Sequence, residues 1–263
     1  MCNDVLMPHV EVSTEKTVRA LVAKSQRKAL PIRRSFVQQG DQAQPQPGPL
    51  ATMVKRKDRV ALDLYLTAVL MAAGEPHEVV LDARVWARAL GLNGKSSAQT
   101  ISRAWRRLEA MNLVRRRRSR RLVAVRILKE DGRGDEYSFP STTNDPYLKV
   151  PLSYWTEGVM TNSTLGMKAM MLVVASLKDW SALPENKVPK WYGISEDTAW
   201  RGLKGLKRKG LLEQRKQYKD APLAPAGFTA VNQYRLVGAL ERVRRKSDVE
   251  KEVVPDLKVV ESK

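Results

Sequence analysis

From Asp58 onward, apolar and polar positions follow helix and strand periods in an order that the chain uses twice. Arg59 to Ala73 places Leu62, Leu66, Val69 and Leu70 at helical spacing, and Gly74 stops the run. Val79 to Leu81 is a short extended piece. Asp82 then suits the N-cap of a helix through Leu90, with Gly91 at its C-terminal end. Ser96 or Ser97 caps the next helix, whose apolar positions are Ile101, Ala104, Trp105, Leu108 and Met111, and which ends at Asn112. Leu113 to Arg117 and Arg121 to Leu128 read as two strands joined by a tight basic turn.

A polar stretch broken by Gly and Pro, residues 129–146, reads as a linker, and the order then returns. Tyr147 to Val150 is a short strand. Leu165 to Leu177 is a strongly apolar helix, and Pro184 to Tyr192 a shorter one ended by Gly193. Ser195 caps a helix from Glu196 to Lys209 that Gly210 closes. Leu211 to Tyr218 and Val231 to Val237 form a hairpin around the loop Asp220 to Gly227, DAPLAPAG. The flanks differ in texture. Residues 1–57 read as a flexible basic N-terminal region and linker, with Gly40 to Pro49 rich in Gln, Pro and Gly. Within them Thr14 to Lys28 has one thin apolar side, Val18, Leu21 and Val22, enough for a short helix that a partner would order. Residues 239–263 form a charged tail. The expected fold is mainly α with small β-hairpins (α+β). Two winged helix-turn-helix domains in tandem, at 58–128 and 147–238, would account for the order.

The second halves of the two units superimpose in sequence without a gap. Ser97, Thr100 and Arg103 match Ser195, Thr198 and Arg201, and Leu108, Asn112 and Leu113 match Leu206, Gly210 and Leu211. Upstream, Ala89 to Leu92 parallels Trp191 to Ile194 once Asn93 to Ser96 are set aside as an insertion. Glycine permits the left-handed end of the first helix of each pair, and the Ser oxygen can cap the second. Thr and Arg on the first two turns face outward, where phosphates and base edges lie. The pattern Ser-x-x-Thr-x-x-Arg, then Leu and Gly/Asn-Leu, resembles the recognition helix and wing start of GntR- and MarR-type bacterial regulators. The duplicated layout, over roughly residues 58–238, is similar to that of tandem winged-helix plasmid replication initiators. These resemblances imply binding to double-stranded DNA.

Charge points the same way. The 263 residues carry 47 Lys or Arg against 28 Asp or Glu, a net charge of +19 that calls for a polyanionic partner. Eleven basic residues against one acid, Glu109, lie between Lys95 and Arg126. Several chemistries are excluded. Cys2 is the single cysteine, so no disulfide framework or cysteine metal cluster is possible, and His9 and His77 stand too far apart for a zinc site. The longest apolar run, Ala169 to Ala175, is far below the ~20 residues of a bilayer span, and the N-terminus lacks a signal pattern. No phosphate-binding G-x-x-x-x-G-K-[ST] loop is present. Tyr218 and Tyr234 are the conceivable nucleophiles, but no carboxylate pair stands where a metal would need it. The chain reads as a cytoplasmic non-enzyme without cofactor, metal or membrane partner, nucleoid-associated when on DNA.

The expected DNA contacts follow from the frame. Gln99, Arg103 and Arg107 are assigned to base edges, and Ser97, Thr100 and Arg106 to phosphates. Arg115, Arg116, Arg117, Arg118, Arg120 and Arg121 form an arginine-rich wing suited to the backbone or the minor groove. Asp197, Thr198, Arg201, Lys204 and Arg208 hold comparable places in the second unit. Glu196 and Asp197 suit the helix dipole there but oppose phosphate, so this unit is expected to bind more weakly or to serve in a homodimer. Trp105, Trp155, Trp180 and Trp191 are expected in the core, and Trp200 outside it. A sequence-specific transcriptional regulator is the first expectation. A replication initiator of a plasmid or other mobile element is the second, and a non-specific nucleic-acid binder the third.

Overall fold

Two helices are apolar nearly all round, and such helices sit at the centre of a core. The computed structural model describes residues 12–41, 43–140 and 145–242, and in it both helices do so. The elements run in this order: α1 (Thr14–Ser25), β1 (Ala29–Arg33), a 3-10 turn, β2 (Gln38–Gln39), β3 (Gln46–Pro47), α2 (Pro49–Lys55), α3 (Arg59–Met71), β4 (Glu78–Val80), α4 (Ala83–Ala89), α5 (Ser97–Glu109), β5 (Val114–Ser119) and β6 (Leu122–Ile127). They continue with β7 (Tyr147–Pro151), α6 (Ser153–Thr156), α7 (Val159–Asn162), α8 (Leu165–Ser176), β8 (Ser181–Ala182), α9 (Val188–Tyr192), α10 (Glu196–Arg208), β9 (Leu212–Asp220) and β10 (Phe228–Leu236). The fold is α+β with small antiparallel sheets. Every residue of α3 from Ala61 to Leu70 is buried, as is every residue of α8 from Met167 to Ala175.

Each apolar helix opens a series of the same order: helix, short strand, helix, helix, hairpin. The sheets match as well. Their strand orders are β4-β6-β5 and β8-β10-β9, so the last strand of each series is central in both. Burial follows the sequence alignment of the third helices. Ile101, Ala104, Trp105 and Leu108 are buried on α5, and Ala199, Gly202, Leu203 and Leu206 at the matching places on α10. Gly202 is required by proximity, because a Cβ there would lie 2.5 Å from the Gly166 carbonyl oxygen on α8. Gly193, at φ +63°, supplies the left-handed turn between α9 and α10.

The segment expected to be a flexible N-terminal region is instead built into the fold from residue 12. Strand β1 pairs antiparallel with β7, Ala29 opposite Pro151 and Arg33 opposite Tyr147, which joins the entry of the first series to that of the second. Helix α1 buries Thr17, Val18 and Leu21 without any added partner, and Arg88 on α4 donates to Thr17 Oγ1 at 2.7 Å. The Gln/Pro-rich stretch contributes β3 and the start of α2, and a Cβ at Gly193 would meet the side chains of Ala51 and Pro47. Residues 129–146, expected to be a linker, are similarly anchored where described. Arg33 is fully buried and pairs with Glu130 at 2.5 Å and with Asp145, and it donates to the Ser138 carbonyl at 2.8 Å. Residues 12–57 are held by scattered apolar side chains, Leu30, Ile32, Phe36, Val37, Leu50 and Met53, all buried in the core, whereas the polar stretch 129–146 is anchored mainly by the buried Arg33 network. Cys2, His9 and most of the charged tail lie outside the described residues.

A second buried ion pair joins the two apolar helices. Lys168 on α8 donates to both carboxylate oxygens of Asp63 on α3 at 2.6 Å. The Tyr154 hydroxyl donates to Asp63 at 3.3 Å, and Trp155 Nε1 donates to Thr67 Oγ1, one turn along α3, at 3.1 Å. Burial pushes the Asp63 carboxyl up and the Lys168 ammonium down from their ordinary values, against the pull of each on the other. Removing one partner leaves an uncompensated buried charge. Asp63→Asn or Lys168→Met alone is therefore expected to lower stability by about 3–5 kcal/mol, and Asp63→Leu with Lys168→Met to recover most of it. Urea midpoints at unchanged slope measure this, and equal loss in the double variant would exclude the pairing as the cause. Gly202→Ala is expected to cost about 1–3 kcal/mol by forcing α10 off α8.

Candidate nucleic-acid interface

Helix α5 presents its cations because its other side is apolar and packs against α3 and α4. Positions 99, 103 and 106 fall on one stripe at helical spacing, and Gln99, Arg103 and Arg106 are all exposed. Arg103 and Arg106 have no acidic partner among the described residues. Arg107, assigned from sequence to a base edge, is elsewhere. It forms a two-pronged pair with Asp58, one prong at 2.9 Å, and these hydrogen bonds raise its guanidinium above the usual value. Asp58 also accepts from the Ala61 N–H as the N-cap of α3. Arg107 therefore fastens α5 to the start of α3, and Arg106 takes its place beside Gln99 and Arg103.

The two threonines of the repeated frame are also structural. Thr100 Oγ1 donates to the Ser96 carbonyl at 3.1 Å. The Thr198 hydroxyl is 2.8 Å from Ser195 Oγ, which accepts from the Thr198 N–H as the cap of α10. Ser97 is the first residue of α5, and neither it nor Ser96 makes a side-chain cap. Ser97 and Thr100 both remain half-buried at the helix start, where free N–H groups cluster.

The arginine-rich hairpin divides into a paired and an unpaired part. Along β5, Arg115 pairs with Glu136 at 2.6 Å, Arg116 with Glu109 at 2.5 Å, and Arg117 with Glu78 at 2.6 Å. Burial pushes the Glu109 carboxyl up, but the Arg116 side chain and backbone N–H outweigh this and hold it below its ordinary value. Arg118, Arg120 and Arg121, at the tip, are exposed and have no acidic partner among the described residues. Arg120 adopts a left-handed φ of +53° in the two-residue turn between Ser119 and Leu122. Sequence reasoning missed the pairing acids Asp58, Glu78 and Glu136 because they are distant in the chain. Glu109, seven residues from Arg116, was visible there as the single acid of the basic stretch.

On α10 the corresponding stripe is Asp197, Arg201, Lys204 and Arg208, all exposed. Asp197 pairs with Arg201 one turn on, neutralising the first half of that face. Trp200 is exposed, and Lys204 Nζ lies 4.5 Å from its ring centre. Trp105 and Trp155 are buried as expected, whereas Trp180 and Trp191 are half-buried, Trp180 beneath the guanidinium of Arg215 at 4.4 Å. The two tyrosines considered as nucleophiles differ. Tyr234 is buried and donates to Glu185 at 2.5 Å, and burial raises its hydroxyl far above the usual value, while Tyr218 is exposed. The ring of His77 bonds the Ala72 carbonyl at 3.1 Å. Among the described residues no group of three metal-ligating side chains occurs, and no helix is long and apolar enough to cross a membrane.

Compared with protein-family models, with curated proteins and with solved structures, the chain matches none. The site is thus defined by its own geometry: an exposed Gln-Arg-Arg stripe on α5 beside an unpaired arginine tip. Arg107→Ala is expected to lower stability by roughly 1 kcal/mol, discounting a partly exposed pair for solvent screening, while Arg103→Ala leaves stability unchanged. Thermal or urea unfolding of the two variants distinguishes a fastening arginine from a surface one. Equal stability would return Arg107 to the exposed set.

Proposed function

We propose that the chain is a sequence-specific double-stranded DNA-binding protein made of two winged helix-turn-helix units in tandem, acting as a transcriptional regulator. The observation that carries this reading is the repeated series helix, strand, helix, helix, hairpin, with the same strand order in both sheets and unpaired cations on one third helix and its hairpin tip. In such units the third helix lies in the major groove and the hairpin reaches the flanking backbone or minor groove. Arg103 and Arg106 would read guanine edges or grip phosphates, Gln99 would read adenine, and Arg118, Arg120 and Arg121 would sit along the backbone. The second unit, with Asp197 set against Arg201, contributes a weaker or differently tuned contact.

A second reading, a replication initiator of a plasmid or other mobile element, draws on one observation. The two third helices differ in charge and are held on one chain by β1–β7 pairing and the Asp63–Lys168 bond. One chain would then read an asymmetric site, which suits direct repeats better than a palindrome read by a symmetric dimer. Selection of bound duplexes from a random pool separates the cases: a lone operator supports regulation, and tandem repeats support initiation. Recovery of no preferred sequence would overturn both.

The wing and the helix make separable contributions. Replacing Arg118, Arg120 and Arg121 with Ala is expected to flatten the dependence of log K on log salt by about one unit per lost phosphate contact. Replacing Arg115, Arg116 and Arg117, already paired with acids, should flatten it less. Arg103→Ala should cost about 1–3 kcal/mol on the selected duplex and little on others. Salt titrations of binding measure all three, and equal slopes for the two triple variants would refute the division of the wing.

A further inference from the structure

The hairpin of the second unit is built differently from that of the first. Strands β9 and β10 each run nine residues, against six for β5 and β6. The face of the β9–β10 ribbon that carries Leu212, Tyr234 and Leu236 into the core continues outward as Tyr218 and Phe228, which are exposed and meet edge to face at 5.4 Å between ring centres. At the far end stand Ala221 to Gly227, APLAPAG, seven residues with no charged or hydrogen-bonding side chain. Leu223 is fully solvent-exposed, at 101 % of its reference area.

This tip is ordered by its own backbone. The Ala224 N–H donates to the Ala221 carbonyl and the Gly227 N–H to the Ala224 carbonyl, both at 2.8 Å, and the Ala221 N–H closes the loop on the Gly227 carbonyl at 2.9 Å. Two turns follow one another, with Pro222 and Pro225 each at the second position, where proline's fixed φ fits best. The apolar point is therefore rigid before it meets anything. Behind it the arm is mainly basic, with the exposed Asp220 beside the tip as its outermost acid. Arg215 and Lys216 lie nearer the body on β9, and Lys207 on α10 reaches Gln214 at the root of the arm at 3.5 Å. From Lys216 to Asp220 the arm projects roughly 14 Å at the usual rise per residue of an antiparallel strand.

Resting on the DNA-binding reading, we infer that Leu223, held by Pro222 and Pro225 at the tip of the β9–β10 arm, is an apolar wedge that enters the minor groove and opens a base step, bending duplex DNA. Leu and Pro are side chains that such wedges use, and pyrimidine–purine steps are the easiest to open. A second copy of the chain fits the tip less well. A specific protein–protein interface needs about 1,000 Å² or more, which seven small residues at the end of an arm do not offer. The cations behind the tip complement a phosphate backbone and would oppose an equally basic copy of the chain.

The test uses the full chain and a doubly end-labelled duplex that the wild type retains from a random pool, with energy transfer between the ends reading the bend. Leu223 touches nothing, so Leu223→Ala should fold as the wild type, which circular dichroism checks. Wild-type binding is expected to raise energy transfer. Leu223→Ala should lose most of that rise and about tenfold in affinity, while Leu223→Phe keeps both. On the same duplex carrying an unpaired bulge at the bent step, Leu223→Ala should bind as tightly as the wild type. If the wild type binds without a rise, or Leu223→Ala bends DNA as the wild type does, the wedge is overturned and the DNA reading stands. If Leu223→Ala instead converts a dimer to a monomer in sedimentation with bending unchanged, the tip is a contact between copies and the wedge is likewise overturned. If the wild type retains no duplex at all, both readings fall.

Discussion

The Asp63–Lys168 bond bridges the two most apolar helices of the chain and, with the β1–β7 pairing, ties the two units together. Removing two charges from water is costly, and only close geometry with every remaining polar group satisfied offsets it. Here the ammonium reaches both carboxylate oxygens, Tyr154 donates to one of them, and Trp155 occupies Thr67 one turn along. Apolar surfaces tolerate sliding, whereas this arrangement has one register. Helix α3 in turn carries α5, and α8 carries α10 through the close approach of Gly166 and Gly202. The exposed faces of α5 and α10 thus rest on two helices that this one ion pair joins.

Arg33 does for the flanking segments what Asp63 and Lys168 do for the helices. A guanidinium has enough donors to hold Glu130, Asp145 and the Ser138 carbonyl at once, so one buried residue on β1 ties down a connecting stretch that is otherwise polar. With β1 also paired to β7, the segment before the first unit becomes part of the base on which both units stand. Stability and placement here come from a few satisfied charges set into one continuous apolar core.

That division explains what could be read from the sequence. Helical spacing of apolar residues located α3, α5, α8 and α10, and the fixed offset between Ser97–Leu113 and Ser195–Leu211 survived as matching burial, because both reflect one local requirement, an apolar side facing a core. Residues 12–57 have their buried apolar side chains spread over short elements too brief to show a period, and the order of 129–146 leans on Arg33, about a hundred positions away, so neither segment leaves a periodic trace. The candidate interface divided in the same way. Gln99, Arg103 and Arg106 follow from helix geometry, but Arg107 and the first three of the four arginines of β5 lack the freedom their sequence suggests, because Asp58, Glu136, Glu109 and Glu78 pair with them. A run of like charges is a local pattern, and its neutralisation is a tertiary one.

The consequence is a redistribution of the +19 charge. Pairing on β5 leaves a basic point at Arg118, Arg120 and Arg121, and the Arg107–Asp58 pair leaves a narrow stripe on α5. Both are smaller than the sequence implies, and both are better suited to discrimination. A broad cationic surface binds any polyanion, since each phosphate contact contributes alike whatever the base sequence. A narrow stripe of one amide and two guanidiniums carried on an ordered helix beside a neutralised flank gains less from a wrongly placed partner than from the right one. In the second unit the same economy goes further. Asp197 quiets the start of α10, and on the proposed reading the contact moves outward to an arm whose point carries no charge. The two units keep one order of elements and, on that reading, divide the work that a repeated sequence frame would suggest they share.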